Sequence, residues 1–438
     1  MWPYHPELLA TPVPRYTSFP TAAEFGDHVG PADFEAALAS TTGAVSLYVH
    51  IPFCKTICWY CGCNTGRANR SQRLASYLEA LHREIALVGR LLPKSAQVRR
   101  IAFGGGSPNA ITPTDFVRLC LSLTQSFSLE DPTLSVELDP RTLEPSWAQA
   151  LAGTGVRHAS LGVQTFNVRL QEAIGRIQPI ETIERCTALL RQAGITSLNY
   201  ALMYGLPGQT GDDLAATLEQ ARDCGADRIA LFGYAHLPDM IPRQRRIDAT
   251  GLPDQRLRFD QAARGHERLT EAGYVPVGFD HFALPGDPLA EAAAKGMVNR
   301  NFQGFTEDSA PVLLGFGASA ISRFPDLIVQ NEKRAGPYRE AIGAGRLAAV
   351  RGVKLDRDER ERGDIIRDLL WRGEARLDDD RARAARPAMQ DLESRGVVAW
   401  KGDTLVIPDE ARPYSRIVAA RFDRLRGAIA HGDTVTAA

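Results

Sequence analysis

Four of the chain's seven cysteines fall within ten residues, in the run Cys54-Lys-Thr-Ile-Cys58-Trp-Tyr-Cys61-Gly-Cys63. A crowded, odd-numbered set of thiols in a long chain suits metal or redox chemistry better than a disulfide framework. A zinc ribbon would need a second Cys or His pair at knuckle spacing. The other cysteines, Cys120, Cys186 and Cys224, stand singly inside helix-like sequence and read as core thiols. Three thiolates at CxxxCxxC spacing on one loop fit a [4Fe–4S] cube, with Cys54, Cys58 and Cys61 as ligands and one iron open to a non-protein ligand. Cys63 is too near Cys61 in sequence to reach another corner of the cube, and is assigned to the rim of the site.

A cofactor loop works only if rigid elements aim it. Buried-strand candidates are 46–51 (SLYVHI), 98–105 (VRRIAFGG), 133–139 (TLSVELD), 158–164 (HASLGVQ), 197–205 (SLNYALMYG) and 227–234 (DRIALFGY). Helical patterns of roughly 10–15 residues separate them, which indicates parallel βαβ units. Six such repeats predict an α/β fold, an open (β/α)6 partial barrel rather than a closed eightfold one. The cysteine loop follows the first strand, at the face where such folds place their chemistry.

Four segments are expected. Residues 1–44 form a Pro-rich N-terminal extension over the active site, 45–270 the barrel, and 271–350 a barrel extension of helix and short strands. Residues 351–438 form a mainly helical, winged-helix-like domain with a hairpin of VVAW and TLVI, ending in a helix over YSRIVAARFDRLRGAIA.

Composition narrows the class. The chain has 438 residues, 44% hydrophobic and 24% charged, as globular proteins do. Lys+Arg at 51 balances Asp+Glu at 52, so the formal net charge of -1 exerts no long-range pull towards nucleic acid or anionic lipid. No apolar stretch approaches the roughly 18 residues of a membrane span. The N-terminal MWPYHPELLA lacks the basic and apolar regions of a secretory signal. A cytoplasmic protein with no nucleic-acid partner and no membrane insertion is expected.

Further candidates sit at the ends of the other strands. Gly104-Gly105-Gly106-Ser107 follows the second strand, and glycine lets a ligand approach the backbone closely. Glu137 ends the third strand, with Asp139 the better helix-capping acid; Gln164 ends the fourth, and Arg176 lies beyond it. The cysteine loop, with the aromatic Tyr60 before its last ligand, closely resembles that of the radical S-adenosylmethionine enzymes. In that superfamily the open iron is chelated by S-adenosylmethionine, and an electron from the reduced cluster cleaves it to methionine and a 5′-deoxyadenosyl radical. The resemblance implies that Gly104, Gly105, Gly106 and Ser107 contact the methionyl group. It implies also that Glu137 hydrogen-bonds the adenosyl ribose, and that Gln164 and Arg176 hold further polar groups of the cofactor.

At finer grain, PRYTSFPTA (14–22), LYVHIPFC, CGCN, FGGGSP, GVQTF, YGLPGQT, YAHLP (234–238), DHFA (280–283), NRNFQGFT (299–306) and LLGFGASAIS (313–322) run in one family's order. They are similar to the oxygen-independent coproporphyrinogen III oxidases. PRYTSFPTA and Cys63 set the chain apart from the shorter haem-chaperone relatives. The resemblance implies cofactor contacts at Tyr48, Cys63, Tyr234 and Ala235, and a second S-adenosylmethionine at Phe302, Gln303 and Ile321. It implies oxidative decarboxylation of two propionates of coproporphyrinogen III to vinyl groups, in haem biosynthesis. The expected partners are a flavodoxin- or ferredoxin-like one-electron donor and an external electron acceptor, with the chain a monomer.

Four substrate carboxylates call for arginines at the barrel mouth, and Arg15, Arg243, Arg245 and Arg246 are candidates. Ala201 stands where the family usually carries an acid, Leu284 where a basic residue is usual, and Phe305 where Tyr is common. One lost ribose hydrogen bond weakens binding by about 0.5–1.5 kcal/mol without abolishing it. These departures leave open a paralogue acting on another tetrapyrrole, and a haem chaperone is the non-enzyme alternative.

Overall fold

Strand β1 (Gly43–Ile51) is buried at every position from Val45 onward, as a strand covered on both faces must be. It opens a parallel series with β2 (Ala96–Gly105), β3 (Leu129–Leu138), β4 (Val156–Gln164), β5 (Ser197–Tyr204) and β6 (Arg228–Gly233). These six lie side by side in chain order, each parallel to the next. The computed structural model describes residues 2–68 and 71–425, and the backbone of 434–436.

The crossovers are helical: α1 (Ser71–Leu91), α2 (Pro113–Ser126), α3 (Pro145–Gly153), α4 (Ile180–Gln192) and α5 (Gly211–Asp223). Helix α1 buries Tyr77, Leu81, Ile85 and Val88, one stripe at helical spacing turned to the sheet. Thr112 and Thr210 cap α2 and α5 by accepting from the N–H groups of Asp115 and Asp213.

The parallel sheet runs one strand further than the six expected. Strand β7 (Val312–Phe316) pairs parallel to β1, Gly315 opposite Tyr48. Five residues with a glycine carry too little periodicity to be read as a barrel strand, yet β7 covers what would be an exposed edge of β1. Antiparallel strands at Ile321–Arg323, Leu327–Asn331 and Ala349–Lys354 continue outward from β7. On the far side His281–Ala283 pairs antiparallel with β6 and then with Val275–Val277. The sheet is open.

Beyond residue 355 come helices at Arg357–Trp371 and Asp379–Ser394 and the expected hairpin, Ala399–Lys401 against Thr404–Val406. A third short strand, Glu374–Arg376, joins the hairpin. The helix expected over 414–430 stops at Ala419, where tight turns bury Phe422 and bring Asp423 to the Tyr16 hydroxyl at 3.0 Å. Its remainder from residue 426 lies outside the described residues. Cys186 is fully buried as expected, whereas Cys120 and Cys224 are only partly covered: Cys120 flanks the buried stripe of α2, and Cys224 is the C-cap of α5.

One apolar cluster joins the N-terminal segment to the last described helix. Leu8, Leu9 and Val13 share it with Phe259, Leu369, Tyr414 and Ile417. The Tyr414 hydroxyl donates to the Pro3 carbonyl at 2.7 Å and accepts from the His5 N–H at 2.9 Å. This packing carries the N-terminal segment across the C-terminal ends of the strands.

Candidate active site at the strand ends

The cysteine loop is tied at its base. Phe53–Cys54 pairs with Gly66–Arg67, Gly66 N–H donates to Pro52 O at 2.8 Å, and Ala68 N–H donates to Cys54 O at 2.9 Å. Its tip is held from three sides. Trp59 N–H reaches Ile174 O at 3.2 Å, the Gln244 amide donates to Tyr60 O at 2.9 Å, and Asn64 donates to Lys333 O at 2.8 Å.

Cys54, Cys58, Cys61 and Cys63 face one cavity of about 720 Å³. The same cavity is lined by Gly105, Gly106, Ser107, Glu137, Gln164, Arg176, Tyr234, Ala235 and Gln303. Two guanidiniums address the Cys58 sulfur, Arg176 at 3.1 Å and Arg141 at 3.3 Å. Both are anchored by Asp139, at 3.4 Å from Arg176 and 2.6 Å from Arg141. Burial alone would raise the Asp139 pKa, but the two arginines outweigh it and hold the carboxyl ionised below the usual range. Asp139 also caps the turn at Pro140–Thr142, the role its sequence position suggested. The Cys63 thiol hydrogen-bonds Cys61 and pulls the Cys61 pKa down to about 6.

The glycine run also has a packing reason. An ideal Cβ on Gly104 would stand 2.8 Å from the Glu137 carboxylate, one on Gly105 2.6 Å from the His50 ring, and one on Gly106 2.5 Å from the Phe53 carbonyl oxygen. The missing methyls make room for protein, so that the turn, the cysteine strand and Glu137 can close up. Gly105 also has φ +112, a conformation other residues rarely adopt. Glu137 accepts from Gly105 N–H at 3.4 Å and from the Gln303 amide at 3.1 Å, and burial raises its pKa. Gln164 is a non-glycine residue at φ +68, strain of the kind held at functional sites.

Tyr48, Gly104, Phe302 and Ile321 stand outside the cavity lining. Tyr48 is buried, its ring 4.5 Å from that of Phe302 and its hydroxyl 3.2 Å from His50 Nδ1. Ile321 lies two strands from Tyr48 in the same row, through Gly315, and packs beside Phe25 and Ile328. Ala201 lines the cavity, whereas Leu284 packs against the main core and is not among its lining residues. Arg15 lines the cavity, Arg243 donates to Thr65 at 3.2 Å, and Arg245 and Arg246 are exposed.

The comparisons with known proteins decide the family. Residues 48–221 match the family model of the radical SAM superfamily. The chain is 42% identical over 423 residues to the oxygen-independent coproporphyrinogen III oxidase of Bradyrhizobium diazoefficiens, covering 94% of each. It is 39% identical over 427 residues to the namesake of Pseudomonas aeruginosa, covering 94% of this chain and 93% of that one. The solved structure of coproporphyrinogen III oxidase from Escherichia coli, described as a radical SAM enzyme, matches with a TM-score of 0.90 at 33% identity, over 97% of this chain and 99% of that one.

The chain belongs to the oxygen-independent coproporphyrinogen III oxidases. Membership in this radical SAM family implies a [4Fe–4S] cluster and S-adenosylmethionine. The residues present fit such a cluster. Among the described residues no three His, Cys, Asp or Glu side chains converge on the point a single metal ion would occupy. A cube asks for something else, thiolates that each grip a different iron, and three thiols around one cavity meet that need. The arginines on Cys58 add positive charge where a thiolate-bound cluster is negative. Arg141 was missed by sequence reasoning. The signal was there in Asp139-Pro140-Arg141, an acid and a base two residues apart just past the end of β3. Among the described residues no helix is long and apolar enough to cross a membrane.

Proposed function

We propose that this protein oxidatively decarboxylates two propionate side chains of coproporphyrinogen III to vinyl groups, giving protoporphyrinogen IX, as a step of haem biosynthesis. The observation that carries the reading is one cavity lined by Cys54, Cys58, Cys61, the glycine turn and Glu137 together with Phe232, Tyr234 and Arg15. A propionate β-carbon is unactivated, and no side-chain base removes its proton at neutral pH. Bound together at this site, the cluster and S-adenosylmethionine supply a carbon radical able to take that hydrogen atom.

The chain's own residues do the positioning. Cys54, Cys58 and Cys61 hold the cluster, and Arg141 and Arg176 brace Cys58 from the side of Asp139. Gly104 to Ser107 and Glu137 receive the methionyl and ribose groups, Gln164, Tyr234 and Ala235 the remaining polar edges, and Cys63 completes the rim. We assign Phe302, Gln303 and Ile321, with Tyr48, to a second S-adenosylmethionine; the support is the Gln303 contact to Glu137 and the Phe302 contact to Tyr48. Residues 1–44 cover the site through Arg15. As carbon dioxide leaves, one electron must pass to an external acceptor, and a flavodoxin- or ferredoxin-like donor supplies the electron that starts each turnover. Lys55 and Thr56 on the loop are exposed, and we assign the donor's approach to that side. We place the chain in the cytoplasm as a monomer, a setting that keeps its cysteines reduced.

The test is an anaerobic assay of reconstituted protein with dithionite and coproporphyrinogen III. A divinyl product lacking two carboxyl groups is expected. Formation of 5′-deoxyadenosine without that product would overturn the substrate, and a product of increased mass would mark a methylating paralogue. Equilibrium dialysis should count two equivalents of S-adenosylmethionine, falling to one in Phe302→Ala.

A further inference from the structure

The stretch between Glu35 and Glu79 contains no aspartate or glutamate, yet it carries Lys55, Arg67, Arg70 and Arg73. The whole chain sets 51 basic residues against 52 acidic ones, so this run is a local excess of positive charge in a nearly neutral molecule.

The excess surrounds the cysteine loop. Of the three residues between Cys54 and Cys58, Thr56 and Ile57 line the cavity, whereas Lys55 does not and is exposed. Lys55 therefore stands on the outer side of the loop. Arg67 is paired through its backbone with Cys54, which sets it beside the same predicted ligand. Arg73 is exposed in the first turn of α1, where the chain leaves the loop. Neither arginine lines the cavity. Among the described residues Lys55, Arg67 and Arg73 make no ion pair, unlike Arg83 further along α1, which pairs with Glu79 at 3.1 Å. An exposed apolar side chain flanks the other end of the loop. Ile177 is 59% exposed and outside the cavity lining. It follows Arg176, whose guanidinium reaches the Cys58 sulfur at 3.1 Å, and Gly175, against which the Trp59 ring packs.

Cofactor and substrate take the cavity, so an electron must enter from outside, through the loop. Electron transfer weakens steeply with distance, and a donor has to seat directly against those residues. Exposed cations without carboxylate neighbours attract an acidic partner over about 10 Å and speed its encounter. Electron-transfer contacts are small, below about 1,200 Å², so three charges and one apolar side chain make up much of one.

We propose that Lys55, Arg67 and Arg73, with Ile177 as the apolar contact, form the docking face for a small acidic flavoprotein of the flavodoxin class. Its negative rim answers the three cations, and the apolar edge of its flavin answers Ile177. In the complex the anionic flavin hydroquinone gives one electron to the oxidised cluster and becomes the neutral semiquinone, and no proton moves. That an electron is wanted here rests on the function proposed above; the charge of the face does not.

The experiment measures binding of oxidised bacterial flavodoxin to the full-length reconstituted protein by titration calorimetry. Affinity should fall at least about tenfold from about 0.01 M to about 0.15 M salt. Arg67→Gln and Arg73→Gln, both at exposed positions where folding is safe, should each weaken binding about threefold and together about tenfold, with a shallower salt dependence. Ile177→Ser should weaken it a few-fold and leave the salt dependence as it is. The variants should also lower the ratio of cluster reduction by photoreduced flavodoxin to reduction by dithionite, a small anion that needs no docking face. Binding indifferent to salt, or to both arginines, would overturn the face. Tighter binding of an acidic ferredoxin than of flavodoxin would overturn the flavoprotein as its occupant. Arginine-dependent flavodoxin binding to a protein that cleaves no S-adenosylmethionine would leave the face standing and remove the proposed reaction.

Discussion

The cysteine loop and a second cavity of about 400 Å³, which shares Arg15 and Phe232 with the first, are built in opposite ways. The loop's chemistry lies within ten consecutive residues, and backbone hydrogen bonds at Pro52, Cys54 and Ile174 hold it. The second cavity draws its arginines, Arg15, Arg258, Arg300 and Arg416, from four segments spread over some four hundred residues, and side chains wall it. A backbone-walled site tolerates almost no added volume, whereas a side-chain-walled site can shift rotamers to absorb it.

The largest break is at the loop. Cys58→Ser should remove the cluster, seen as loss of bound iron and of the visible absorption of the reconstituted protein, and reduce cofactor cleavage to background; full iron content would refute the ligand assignment.

The next effect is on stability and arises beneath the loop. Glu84 is buried and accepts from Tyr338, Gly317 and Asn331 at 2.7 Å each, and the Tyr77 that accompanies them holds His50 O just before the cysteine strand. Burial favours its neutral form and lifts its pKa from 4.5 to about 7. Folding therefore binds a proton between those values. This contribution, about 3 kcal/mol, is complete below pH 4.5 and lost as pH rises through 7. Chemical denaturation across that range should show the slope, and Glu84→Gln should flatten it.

Two identical substitutions then set the regions side by side. Gly106→Ala puts a methyl 2.5 Å from the Phe53 carbonyl, an atom that moves only if the cysteine strand moves. It should cost about 1–3 kcal/mol and loosen iron retention. Gly233→Ala meets the Tyr204 hydroxyl at 2.9 Å and Arg258 at 3.2 Å, both ends of flexible side chains. It should cost under about 1 kcal/mol and change KM a few-fold. Equal melting losses in the two variants would erase the distinction.

The same contrast governs how much was legible beforehand. The strand–helix alternation from 45 to 234 could be read, and so could the convergence of the cysteine triad, Glu137, Gln164 and Arg176 on one cavity, because each depends on residues close in sequence or on a strand end. Strand β7 could not, since five residues around a glycine look like any short strand until they pair with β1. The close packing at Gly104 to Gly106 was not legible for a related reason: a glycine shows that space is needed but not that Glu137, His50 and Phe53 crowd it. Leu284 looked like a departure at the site, and only the fold shows it packed in the core.

What the order of residues by itself pointed to is a candidate set, three thiols at cluster spacing with an acid and an arginine near strand ends, and the parallel framework that brings them to one cavity. Local spacing and periodicity are enough for that, because they act over a few residues. Tertiary structure alone decided the surroundings, the Arg141–Asp139–Arg176 brace on Cys58 and the four arginines around Asp280. Those groups come from separate segments of the chain, and burial of Leu8, Leu9 and Tyr414 in one shared core brings the N-terminal segment against residues near 414.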